Sequence, residues 1–253
     1  IPASCCGLFG LKPSRGRVPM GPGRTEGWGG LSVHHAVSHS VRDSAAILDT
    51  TWGVEPGSRY GAPGPDGTFL SNVTRKPGRL RIALMVDPLT HSPVDAECIE
   101  ATRAAARLCE SLGHHVEEAA PKIDTNALSF ASFATIGPSI AADVADRAKA
   151  TGIDPAATLE PISLGFIEYG KRFTAMDYAR ANAILQNAAS TMAQFMAGYD
   201  VILSPTLAAP PLELGRINLT PDCDFEAWGQ RAAVFAAFPQ IANMTGQPGM
   251  SVP

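Results

Sequence analysis

The stretch that decides the fold is the opening one, Ile1-Pro2-Ala3-Ser4-Cys5-Cys6-Gly7-Leu8-Phe9-Gly10-Leu11-Lys12-Pro13-Ser14-Arg15-Gly16-Arg17-Val18-Pro19. It is apolar from its first residue and has neither an initiator Met nor a polar lead-in, which is typical of the middle of a longer protein. Its glycines and prolines exclude long helices and favour tight turns with close backbone approach. We therefore expect loop and short strand over residues 1–30.

Two later stretches extend this pattern. The first is Ser38-His39-Ser40-Val41-Arg42-Asp43-Ser44-Ala45-Ala46-Ile47-Leu48-Asp49. The second runs from Tyr199-Asp200-Val201-Ile202-Leu203-Ser204-Pro205-Thr206 to Asn243-Met244-Thr245-Gly246-Gln247-Pro248-Gly249-Met250-Ser251-Val252-Pro253. In this order and spacing, the three stretches resemble the amidase signature family. Members of that family run from a Gly-Gly-Ser-Ile-Arg motif into Pro-Ala, Cys-Gly and Gly-Leu-Lys-Pro, and the resemblance covers nearly the whole chain.

The resemblance implies both a fold and an activity. The implied fold is α/β, with a mixed and mostly parallel sheet flanked by helices, and residues 1–253 would form a single domain truncated at both ends. The implied activity is cleavage of a carboxamide C–N bond through an acyl-enzyme and a Ser–cis-Ser–Lys triad, without metal or other cofactor. In the family's motif order all three triad side chains precede Ile1, so we assign no catalytic residue here and expect the isolated chain to be inactive.

The composition of the chain limits the kinds of binding partner that we expect. The chain has 253 residues, 45% of them hydrophobic, which suffices for one sizeable core. Its 20 basic and 24 acidic residues form no basic stripe, so we expect neither nucleic acid nor a membrane surface as a partner, but a small-molecule amide and possible homo-oligomers. Five cysteines with no Cys-x-x-Cys pair favour a reduced, cytoplasmic setting.

The periodicity of apolar residues predicts one strand–helix–strand unit. Residues 80–86 and 114–118 are the expected strands, and they would pair in parallel. For the intervening helix we predict a start at Ser92, with Pro93 in its first turn. Its core-facing stripe would consist of Cys98, Ala101, Ala105, Leu108 and Leu112.

Residues 126–198 are helical in character, with expected breaks at Gly137-Pro138, Gly152 to Pro155, and Gly170. Thr174 and Asp177 form a capping box for the last helix of this region. In the family such helices, together with the Pro-Thr strand, build the acyl-binding wall. The resemblance therefore implies that this subregion forms the substrate pocket, with the candidate wall residues Phe130, Phe133, Ile136, Ile140, Phe166 and Thr206. The apolar character of 126–142 favours a neutral or hydrophobic amide.

Other chemistries stay open. Cys5 or Cys6 with one of the six histidines would make a cysteine-dependent hydrolase. Alternatively, the chain is an amidase-derived binding module that never carried a triad. Lys12 matches the structural Lys of Gly-Leu-Lys-Pro rather than a catalytic lysine. His35 and His39 have the four-residue spacing of helical metal ligands, but the absence of a neighbouring carboxylate and their place before the helix argue against a metal site.

Overall fold

The computed structural model describes residues 1–253, except for the side chain of Val234. The strands are β1 (Phe9–Lys12), β2 (Val37–Ser38), β3 (Arg81–Leu84), β4 (His115–Glu118), β5 (Val201–Leu203) and β6 (Gly249–Ser251). The helices are α1 (Pro2–Cys5), α2 (Val41–Thr51), α3 (Phe69–Asn72), α4 (Ala96–Ser111), α5 (Thr125–Thr151), α6 (Pro155–Thr158), α7 (Pro161–Gly170), α8 (Ala175–Met196), α9 (Phe225–Ala236) and α10 (Gln240–Thr245). A short 3-10 turn spans Trp28–Gly30.

The strands form two groups of three. In the first, β3 lies between β4 and β5 and is parallel to both, with Ile82 opposite Val116 and Val201. In the second, β1 lies between β2 and β6 and is antiparallel to both. The predicted α/β class and the parallel strand–helix–strand unit are therefore confirmed.

The start and the buried face of α4 differ from the prediction. The helix begins at Ala96, because the Asp95 side chain accepts from the Glu97 amide and caps it, while Val94 packs into the core beside Met85. Thr102 and Ala106 are its buried residues, whereas Leu108 is 61% and Leu112 68% exposed. The predicted stripe was wrong because the alanine-rich sequence does not determine which face of the helix is buried. Packing against the parallel sheet selects the face with Ile99 and Ala106.

The predicted break at Gly137-Pro138 is also wrong, because α5 continues through Pro138 to Thr151. Proline removes one backbone donor, a loss that tertiary contacts can offset. Here the tertiary contact is that of Gly137, which packs against the backbone of Gly170 in α7. The predicted interruptions near Gly152 and Gly170 are present.

Helix α5 forms the centre of the core together with α8. Leu128, Ala131 and Ala134 are buried against Ala181 and Leu185 of α8. The predicted capping box of α8 is confirmed, since Thr174 and Asp177 bond each other's backbone amides. By length and composition alone, α5 would also suffice to cross a membrane, a property that the core helices of globular proteins share.

Candidate functional site

Seven rings from three segments of the chain pack together, and we call them the aromatic cluster. Their centroids lie 4.8 to 6.2 Å apart, mostly edge to face, a geometry that stabilises aromatic pairs. Three of the predicted wall residues belong to it. The members are Phe130, Phe133, Phe166, Tyr169, Phe173, Phe225 and Trp228.

The rings of α7 lie in the middle of the aromatic cluster, between those of α5 and α9. Phe166 and Tyr169 are three residues apart and so share a helix face. The ring centroids of Tyr169 and of Phe133 in α5 are 5.2 Å apart, and those of Phe166 and of Phe225 in α9 are 4.8 Å apart. A Cβ at Gly165 would lie 2.6 Å from the Phe225 ring, so glycine there lets the two helices approach.

The other predicted wall residues lie outside the aromatic cluster. Ile136 packs against the buried core around Leu128, and Ile140 is half-buried one turn further along α5. Thr206 follows β5 and donates through Oγ1 to Ser251 Oγ at 3.2 Å, which ties the parallel strands to β6. Thr206 thus lies at the carboxyl end of the parallel strands, where open α/β sheets commonly bind ligands.

The opening segment packs closely on β1. A Cβ at Gly10 would lie 2.5 Å from the Ala3 Cβ, so α1 rests directly on the strand. Lys12 is half-buried and donates to the Pro13 carbonyl at 2.8 Å. Burial, with a smaller contribution from Arg15, lowers the pKa of Lys12 to about 8.

Cys5 is half-buried and Cys6 is exposed, and both are free thiols. Within the part of the chain that the structure describes, no hydrogen bond joins either thiol to a histidine. His35 Nε2 instead lies 2.9 Å from Ser44 Oγ. Burial lowers the pKa of His35, which favours its neutral form. The described residues contain no group of three His, Cys, Asp or Glu side chains placed to hold a metal.

Charged residues fasten the glycine-rich loop to the helical layer and to the segment around Arg59. Arg24 makes two bonds of 3.0 Å to the Asp143 carboxylate of α5, and Arg59 bonds Glu26 at 2.9 Å. Beneath the loop, Glu26 and Glu55 line a cavity of about 20 Å³, room for roughly one water molecule. Asp143 already has a cationic partner, which disfavours it as an anchor for a substrate amine.

Similarity to known proteins shows the family to which the chain belongs. The profile of the family described as Amidase matches residues 1–253, the entire chain. The chain belongs to the amidase family. Its α/β architecture agrees, because a solved aryl acylamidase of the amidase signature family superposes over 100% of this chain and 52% of its own, with a TM-score of 0.76 at 22% identity.

Two curated members of the amidase family are similar throughout the chain. The 6-aminohexanoate-cyclic-dimer hydrolases of Paenarthrobacter ureafaciens and of Pseudomonas sp. (strain NK87) are each 31% identical over 269 residues, covering 100% of this chain and 53% of theirs. A solved structure of 6-aminohexanoate cyclic dimer hydrolase matches with a TM-score of 0.89 at 30% identity, over 100% of this chain and 54% of that one. The chain thus spans about half the length of the curated relatives that it matches.

Several aromatic side chains of the candidate site were absent from the predicted wall. Tyr169 lies three residues after Phe166 on α7, and Phe173 follows just after the helix ends, a spacing that periodicity could have revealed. Phe225 and Trp228 come from α9, more than 50 residues later, and nothing local in the sequence indicates their contact with Phe166.

Proposed function

We propose that this chain is part of an amidohydrolase that cleaves a carboxamide C–N bond. The observation that carries the proposal is the match of residues 1–253 to the amidase family, joined to 31% identity with hydrolases named for a cyclic amide dimer. A serine Oγ would attack the carbonyl carbon, and the amine would leave with the proton passed through the cis-serine and the lysine. Water then hydrolyses the acyl ester and regenerates the serine. On the family's motif order, these three side chains precede Ile1.

The substrate class that fits is a neutral amide with an apolar acyl part, linear or cyclic. Residues 126–198 would supply the pocket, with the aromatic cluster and the half-buried Ile136 and Ile140 as its wall. Apolar and aromatic side chains with few polar groups are typical of such pockets. The carboxylate of Asp143 is bonded to Arg24, so it does not favour a charged substrate.

The position of Thr206 agrees with this arrangement. It follows the carboxyl end of β5, and its bond to Ser251 brings β6 to the same place. β6 pairs with β1, against which α1 packs. The family motif puts the nucleophile shortly before α1, so we place Thr206 near the mouth of the pocket.

Hydrolysis by the complete polypeptide that carries this chain tests the proposal. The assay follows release of ammonia or amine from hexanamide, acetanilide and 6-aminohexanoate cyclic dimer. We expect turnover of at least one neutral amide, abolished by a fluorophosphonate. A folded protein that binds amides without hydrolysing any of them would support the inactive binding module instead.

A pair of variants tests the pocket assignment. Phe133→Leu shortens a ring in the aromatic cluster, and we expect it to raise KM for hexanamide several-fold more than for acetamide. Phe195→Leu is the matched control, because Phe195 also packs on a tyrosine ring, Tyr199, at 4.8 Å, but at the end of α8. Equal effects of the two substitutions on KM would make Phe133 an ordinary core residue.

A further inference from the structure

Trp28 holds an unusual backbone conformation. Its φ is +51°, in the left-handed region that L-residues with bulky side chains rarely adopt. Gly29 and Gly30 follow with φ of +60° and +85°, so three consecutive residues are left-handed. The Trp28 side chain is nevertheless 43% exposed, so burial of the indole does not explain the strain.

The surroundings fix this turn on both sides. A Cβ at Gly29 would lie 2.6 Å from Thr135 Cγ2 and 3.1 Å from the Tyr178 hydroxyl. The Gly30 carbonyl accepts from Arg15 Nε at 2.6 Å. Strain that a rigid environment maintains in this way is characteristic of residues held for a function.

Contacts before and after the turn show where Trp28 lies. Arg24 bonds Asp143 in the second half of α5, and Gly29 touches Thr135, two turns earlier on the same helix. Leu31 then packs in the core beside Leu128. The segment from 24 to 31 therefore runs antiparallel along α5.

Trp28 precedes Gly29 on this path, so its backbone lies beside α5 at or just beyond Thr135. Ile136 and Ile140 occupy this part of the helix, and both are half-buried. They are the aliphatic residues of the proposed acyl-binding wall. An exposed indole whose backbone lies at this level of α5 is within side-chain reach of a substrate that contacts this part of the helix.

We propose that Trp28 is a specificity-determining residue, whose indole forms a platform for the aliphatic chain of the acyl group. This inference rests on the proposed amidase function. A rigid aromatic face gains favourable contact with each methylene that leaves water. The strained turn fixes the exposed ring before the substrate binds. The entropy cost of ordering the ring is therefore not part of the binding free energy.

A chain-length series tests the proposal in the complete polypeptide. The variant is Trp28→Asn, because asparagine tolerates the left-handed conformation and so preserves the turn. The matched control is Trp52→Asn, since Trp52 is 36% exposed but has an ordinary φ of −74° and packs on Phe69. Circular dichroism and thermal melting verify that both variants fold.

We expect Trp28→Asn to lower kcat/KM for the octanoyl 4-nitroanilide about tenfold more than for the acetyl 4-nitroanilide. Trp52→Asn should leave the ratio of the two unchanged. An unchanged ratio in Trp28→Asn, with hydrolysis retained, would overturn the inference while leaving the proposed function intact.

A binding measurement covers the case in which no anilide is hydrolysed. The difference between the emission of the complete polypeptide and that of its Trp28→Asn variant isolates the contribution of this indole. Titration with 2-octanone, a ketone that resembles the acyl half and cannot be hydrolysed, should shift its fluorescence emission to the blue and saturate. A saturating shift without hydrolysis would retain the Trp28 site and refute the amidase function. An emission spectrum unchanged by the ketone would refute the Trp28 site.

Discussion

Gly137 and Gly170 lie against each other where α5 meets α7. A Cβ added to Gly137 would lie 2.8 Å from the Gly170 Cα and 3.3 Å from its nitrogen, both backbone atoms that cannot rotate away. This contact sets the distance between the two helices that carry Phe133 and Tyr169. It therefore determines both the stability of the helical layer and the spacing of the aromatic cluster.

The first prediction concerns this contact. Gly137→Ala should lower the free energy of unfolding by about 1–3 kcal/mol, because overpacking forces the helices apart. Gly229→Ala is the matched control, since Gly229 lies inside α9 with no atom within 4 Å of an added Cβ. There alanine should stabilise by about 0.5–1 kcal/mol through helix propensity. Urea unfolding of both variants measures the difference, and equal stabilisation would contradict the tight contact.

The second prediction concerns the cap of α8. Thr174 Oγ1 accepts from the Asp177 amide, so Thr174→Ala should cost about 1 kcal/mol in the free energy of unfolding. Thr191→Ala changes the same residue type within α8, where the hydroxyl bonds only the Asn187 carbonyl. That variant should be neutral or slightly stabilising. A thermal melt in which the two variants lose the same stability would count against the cap.

The third prediction is a pH dependence set by His35. Burial lowers its folded pKa below the ordinary 6.5, so the unfolded chain takes up the proton first as the pH falls. Stability should be complete above about pH 6.5 and decline on acidification towards the lower folded pKa. In His35→Gln, whose amide can still hydrogen-bond the Ser44 hydroxyl, that decline should shrink. His39→Gln, at an exposed position, should keep the wild-type pH profile in urea titrations between pH 5 and 8.

The fourth prediction concerns Lys12. Its folded pKa of about 8 lies below the ordinary 10.5, so between these values the unfolded chain binds more protons. Stability should therefore rise from pH 8 to 10.5, and the charged Lys12 should be unfavourable at pH 7. We expect Lys12→Met to raise the free energy of unfolding at pH 7 and to flatten this rise.

Lys171→Met serves as the control for Lys12, because Lys171 is exposed and paired with Glu168. It should change stability little at either pH, as surface ion pairs contribute little. In the complete polypeptide, Lys12→Met should also retain amide hydrolysis, since we assign Lys12 a structural position. Loss of turnover by a stably folded Lys12→Met protein would instead make it a catalytic candidate.

Local signals predicted much of the fold. The capping box of α8 depends on two residues close in sequence, Thr174 and Asp177, and the structure shows it. The strands near 82 and 116 were likewise recognisable as short apolar or alternating runs bounded by turns. Where the sequence specifies a local hydrogen bond or a clear period, the prediction was right.

The failures have tertiary causes. Periodicity could not decide which face of α4 is buried, because its alanines fit either phase and the parallel sheet makes the choice. A Gly-Pro pair usually ends a helix, yet α5 continues through Pro138, with Gly137 packed against Gly170 of α7. The Trp28 turn was equally hidden, since no sequence rule favours a left-handed tryptophan.

The most direct test of the central claim is to react the complete polypeptide with a fluorophosphonate, digest it and locate the modified residue by mass spectrometry. We predict a single labelled serine in a peptide N-terminal to Ile1, with amide hydrolysis lost in proportion to labelling. Undiminished hydrolysis in a protein that takes up no label, together with loss of activity in Cys5→Ala or Cys6→Ala, would contradict the serine mechanism and establish a thiol nucleophile.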